Sequence, residues 1–158
     1  MLWINKSLIP SLEGISKVSL LTKILFHISN IILIALYLYP GSILGWLLYG
    51  NIQRQPQITP DHALFSSNHI YAFLILSILG LFSYHSKNIK ILFLYLFFIS
   101  IFLELLHYVI PQRSFELKDL FGNFFGVLII FLVFNIYKFF KKILWLSLFR
   151  VIYLLFYY

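Results

Sequence analysis

The chain has 158 residues, 61% of them hydrophobic and only 11% charged, with a mean hydropathy of +0.93. A soluble domain of this length carries about a quarter charged residues, so a water-facing surface is excluded and an integral membrane protein is expected. The formal charge of +7 is spread along the chain, so no nucleic-acid partner is expected, and the lack of cysteine rules out disulfides and thiolate metal sites.

Residues 1–21 form the first element. From Trp3 onward they alternate loosely between apolar and polar types, which predicts an amphipathic helix along the membrane interface. No small-residue cleavage site follows, so the next apolar run is expected to be retained. A membrane domain over 22–137 is expected to hold four spans, at about 22–39, 69–86, 89–109 and 120–137. Pro40-Gly41 stops the first span, because proline cannot continue the helical ladder. The following loop contains "SILGWLLYG", apolar enough to fold against the membrane surface. The short His85-Ser86-Lys87-Asn88 turn makes spans two and three a hairpin, and Pro111 ends the third. Lys138, Lys141 and Lys142 are expected to end the fourth, leaving 138–158 as a basic, aromatic interfacial segment interrupted by Arg150. The expected fold class is an all-α four-transmembrane-helix bundle, with an amphipathic N-terminal helix and a short C-terminal one.

Basic residues set the expected orientation. Lys6, Lys17 and Lys23, then Lys87 and Lys90, then the three lysines after span four fall on one side of a four-span chain. The other two loops balance Arg54 with Asp61, and Arg113 and Lys118 with Glu116 and Asp119. Both termini are therefore expected in the cytoplasm of a bacterial plasma-membrane protein.

The stretch "ELLHYVIPQRSFELKDLFGNFFG", 104–126, holds five charged side chains and a histidine between oily runs. Glu104 and His107, three apart, share a helix face, and a carboxylate inside a span is expected to face the bundle interior. Asp119, Asn123 and Gly126 recur at four and three residues, forming one stripe of the last span. Asp119 suits the positive start of that helix, and Gly126 permits close approach of a neighbour. Arg113 is the natural partner for Glu104 or Asp119, and its planar fork also suits phosphate or carboxylate. The plainer reading is that these groups only pin two helices together. Glu104-x-x-His107 matches half of a di-iron bundle motif, which needs a second pair, so no metal and no cofactor are expected. Ser66 and Ser67 beside His69 lack a nucleophile elbow. No catalytic residue is assigned, and the reading leans away from an enzyme.

Glu104-Leu-Leu-His107, Pro111-x-Arg113, and Asp119 with Asn123 and Gly126 resemble, in order and spacing, the signature of VanZ-like membrane proteins. His69 matches the histidine that opens the corresponding family helix, and the resemblance covers about residues 65–135. Family members often carry Asp-Lys just before that histidine, where Phe65 and Ser66 stand here, and a glutamine where His107 stands. The resemblance implies a small multi-span protein, linked in some members to resistance against teicoplanin-type glycopeptides, without supplying a biochemical activity. Two functional expectations follow. Either an outward polar pocket of His69, Glu104, His107, Arg113, Asp119 and Asn123 engages an anionic lipid or envelope-related headgroup, or the chain is an accessory subunit of a larger membrane assembly.

Overall fold

The structure is a computed structural model that describes residues 12–84 and 88–157, with side chains over 20–84 and 88–146. Five helices follow one another: α1 (Leu12–Leu38), α2 (Ile43–Tyr49), α3 (Ser67–Ser83), α4 (Ile89–Leu106) and α5 (Leu117–Tyr157). Among the described residues there is no strand.

Among the described residues, three helices are long and apolar enough to cross a bilayer: Leu20–Leu38 within α1, all of α4, and Leu117–Leu146 within α5. Their outward faces are oily, with Ile31, Ile91 and Leu94 well exposed. A folded chain leaves such faces uncovered where lipid, not water, surrounds it, so this is a membrane protein. The apolar α3 has 17 residues, one short of that length, and here the observed helices fall below the four expected spans.

Two further expectations change. α1 runs unbroken from Leu12 to Leu38, so residues 12–21 belong to the same helix as the apolar stretch Leu20–Leu38 and are not a separate helix. The earlier part of the expected arm, 1–11, lies outside the described residues, as do 85–87 of the expected turn. α5 does not stop at Lys138, Lys141 and Lys142 but continues to Tyr157 as one 41-residue helix. Lysine is a good helix former, and no proline or glycine follows Gly126, so nothing in the backbone breaks the ladder.

Packing centres on α3, which lies mainly against α5 and α1, while α4 leans on α5. Phe26, Phe73, Leu76, Leu96 and Val127 fill the core. The α3–α5 seam is close because Gly122 and Gly126 face α3. A methyl built on Gly122 would stand 2.6 Å from the Ser66 carbonyl oxygen, and one on Gly126 would stand 2.6 Å from that of Ile70. α2 is a short surface helix capped by Ser42, whose Oγ accepts from Gly45 N at 2.9 Å, and closed by Gly50 at φ 65°. Its Trp46, Leu47 and Leu48 are exposed.

Candidate functional site

Four helix ends meet at one end of the bundle: the C-termini of α1 and α4 and the N-termini of α3 and α5. The orphan carbonyls of α1's last turn need donors, and two basic side chains from the α4–α5 connection supply them. His107 Nε2 lies 3.2 Å from Tyr37 O, while Arg113 donates through Nε to Tyr39 O at 3.2 Å and through Nη2 to Leu36 O at 2.8 Å. The preceding residue, Gln112, takes φ 60°, an uncommon value outside glycine that turns the chain to deliver the guanidinium. Arg113 was expected to pair with Glu104 or Asp119. Instead two of its nitrogens donate to carbonyls at the end of α1, which carry the negative end of the helix dipole. Burial draws its pKa below the ordinary arginine value, an effect opposed by Tyr37, Glu104 and Asp119.

Glu104 and His107 share the face their spacing predicted. Glu104 is wholly buried; its Oε1 accepts from Glu116 N at 3.1 Å and lies 3.2 Å from His107 Nδ1. Because a carbonyl can only accept, His107 Nε2 carries the proton toward Tyr37 O. The pair is held at both ends, which fixes the ring.

His69, on the first turn of α3, places Nδ1 2.7 Å from Asp119 Oδ1. That approach is close but out of line with the ring N–H, so it is an ion-pair distance without a hydrogen bond's alignment. Ser66 N donates to Lys118 O at 3.0 Å and ties the two helix starts together. Asp61 Oδ1 accepts from Ser67 N at 3.0 Å at the start of α3.

Asn123 is fully buried, accepts from Tyr37 OH at 2.6 Å and donates to Ser100 O at 3.2 Å, linking α5 to α1 and α4. Tyr37 is the hub that sequence reasoning missed. Its ring stacks on His107 at 5.7 Å between centroids and tilts against His69 at 5.3 Å. An isolated tyrosine near the end of an aromatic-rich span carries no distinguishing pattern. Gly122 was also missed, although Gly122-x-x-x-Gly126 is a readable small-residue packing motif. The six expected site residues thus lie at the same end of the bundle, built on α3, α4 and α5, and α1 contributes Tyr37 and its terminal carbonyls.

Two cavities open beside the cluster. One, of about 420 Å³, is chiefly apolar and runs between α1, α2 and α3 past Leu36, Leu48, Ala72 and Ile75 to His69. The other, of about 320 Å³, is polar and reaches Gln112, Glu116 and Asp119. Ser42, Gln55, His107 and Arg113 line both, so the two are neighbours across these residues.

A protein-family model described as VanZ/LLP1 matches residues 3–140. No curated protein and no solved structure matches the chain.

Proposed function

The chain belongs to the VanZ/LLP1 family, and from that premise we propose that its paired cavities receive one amphiphile. The anionic headgroup sits in the polar cavity beside Arg113, and the acyl chain lies along the apolar one between α1 and α3. The observation that carries this reading is the shared wall of Ser42, Gln55, His107 and Arg113, which borders a chiefly apolar space on one side and a polar one on the other. Only two of Arg113's nitrogens are engaged by carbonyls, so N–H groups remain for a phosphate or carboxylate, to which arginine is well matched. Asn123, bound on both sides by protein groups, holds Tyr37 at the inner wall.

The same reading places the protein in a bacterial plasma membrane with four crossings. The 17 residues of α3 span about 26 Å, close enough to a bilayer core of about 30 Å for modest local thinning to close the gap. Lys23 and Lys90 lie at the end of the bundle away from the cluster, whereas Arg113 and Lys118 are balanced by Glu116 and Asp119. That asymmetry supports cytoplasmic termini and an outward-facing pocket, with α2 lying on the outer surface.

The test is lipid retention in native mass spectrometry of the detergent-purified protein, with anionic and zwitterionic lipids in competition. Arg113→Ala is expected to lower the anionic preference about tenfold, the scale of one charge-assisted contact. Ala72→Trp, filling the apolar cavity, is expected to lower retention of both. Unchanged preference in a folded Arg113→Ala protein would overturn the assignment. A second reading is favoured by the internal pairing of Glu104, His107 and Asn123, which suits a scaffold for an accessory subunit. A heteromeric mass in the same spectra would support it, and a lone lipid-bound monomer would count against it.

A further inference from the structure

Two buried polar atoms in the cluster have no hydrogen bond among the described residues: Glu104 Oε2 and His69 Nδ1. Both residues are buried, Glu104 at 0% and His69 at 6% exposed. An unsatisfied buried group costs on the order of 1–3 kcal/mol, and two of them here sit within one cluster. His69, Glu104 and Asp119 each present one ligating atom, and the three atoms lie within 4.8 Å of one another.

We infer that His69, Glu104 and Asp119 form a binding site for one divalent transition-metal cation of the Zn2+ or Mn2+ kind. This departs from the sequence expectation of no metal, which weighed Glu104-x-x-His107 with His69 added and left Asp119 out of the set. In the folded chain His107 supports the site without being a ligand. Together with Glu116 N it occupies Glu104 Oε1, leaving Oε2 as the free oxygen, and such outer-shell partners orient metal-binding carboxylates. Around a tetrahedral ion with ligand bonds of about 2.1 Å, ligands stand about 3.4 Å apart. From separations of up to 4.8 Å and a closest pair at 2.7 Å, shifts of at most about 1.4 Å would bring this set to that spacing.

The contact between His69 and Asp119 points the same way. His69 Nδ1 and Asp119 Oδ1 lie 2.7 Å apart without the alignment of a ring N–H hydrogen bond, so the nitrogen and the carboxylate converge on one point that a cation can share. One imidazole and two carboxylates, with no thiolate, suit Zn2+, Mn2+ or Fe2+ and disfavour Cu(I). The cation has a way in, because Asp119 lines the polar cavity and His69 the apolar one. A remaining coordination position would face those cavities and could take water. The inference does not depend on lipid binding, since the three side chains suffice to hold the ion.

The test uses the full chain in detergent, stripped with a chelator and then dialysed against Zn2+ or Mn2+ alone. Metal per chain is read by mass spectrometry and affinity by calorimetry. About one ion per chain is expected, with affinity falling at least tenfold in His69→Ala, Glu104→Gln and Asp119→Asn, the scale of a lost ligand. His27→Ala and His62→Ala should leave binding intact. Because Glu104 is wholly buried and its variant can fail to fold, Asp119→Asn at the more open edge is the deciding substitution. Cobalt provides a second readout: Co2+ bound by His69, Glu104 and Asp119 is expected to show the strong visible bands of a low-coordinate site, lost in Asp119→Asn. Absence of a bound ion in the wild-type protein would overturn the inference, leaving a shared proton between His69 and Asp119. Binding that survives Asp119→Asn, or that disappears in His27→Ala or His62→Ala, would overturn it equally.

Discussion

Replacing Gly126 with alanine adds a single methyl where α5 crosses the backbone of α3. That methyl would stand 2.6 Å from Ile70 O, 2.8 Å from Phe73 Cβ and 3.0 Å from Leu74 N. Carbon and oxygen rest about 3.4 Å apart, so α5 must withdraw by roughly 0.8 Å. Two of the three opposing atoms are backbone, so no side chain can rotate out of the way. Overpacking of this kind costs about 1–3 kcal/mol, while alanine's better helix propensity returns about 0.5–1 kcal/mol. The expected net loss is about 1–2 kcal/mol, roughly a five- to thirtyfold fall in the folded-to-unfolded ratio. Equilibrium unfolding in mixed micelles with increasing dodecyl sulfate, followed by circular dichroism, measures it. A variant as stable as the wild type, or more stable, would refute the close seam and with it the placement of Asp119 against His69.

Tyr37→Phe removes one hydroxyl and leaves Asn123 Oδ1 without its 2.6 Å donor. The expected loss is about 1 kcal/mol in the same unfolding assay, and a variant of unchanged stability would show that this link contributes nothing. Arg113→Lys keeps the charge but cannot reach Leu36 O and Tyr39 O with one fork, so it should lose about 1 kcal/mol of stability while retaining part of the anionic preference. The downward shift of Arg113 has a defined sign. A base whose folded pKa is lowered carries a burial penalty at every pH below that value, and the penalty lifts only toward strong alkali. The wild-type to Arg113→Ala affinity ratio for an anionic lipid is therefore expected to be flat from about pH 6 to about pH 9. A ratio that changes tenfold across that range would place the titrating group elsewhere.

The polar cluster could be read from spacing because helical periodicity is local. Glu104 with His107, and Asp119 with Asn123, lie on the helix faces that intervals of three and four dictate. The starts and stops marked by proline also held approximately, α1 ending at Leu38 before Pro40 and α4 at Leu106 before Pro111. The partners of Arg113 were not legible. They are main-chain carbonyls of a distant helix, and a sequence carries no mark for an unfilled carbonyl. Tyr37 stayed hidden for a related reason: its role comes from α1 lying beside α4 and α5, a long-range contact with no sequence pattern. The continuation of α5 past three lysines was misread because charge was taken as a helix stop, when lysine is itself a good helix former. Its 41 residues extend about 62 Å, about twice the depth of a bilayer core. The short α3 shows the opposite limit, since its apolar run was legible but its end at Ser83 was not.

The claim that the cavity pair seats one amphiphile, headgroup toward Arg113, is tested most directly by photocrosslinking. A phospholipid carrying a diazirine near the end of one acyl chain would be irradiated with the protein in vesicles, and the modified peptides mapped by mass spectrometry. The account predicts labelling concentrated on Leu36, Leu48, Ala72 and Ile75, which line the apolar cavity, and displaced by excess unlabelled anionic lipid. Labelling spread evenly over outward residues such as Ile31, Ile91 and Leu94, with no such displacement, would contradict it.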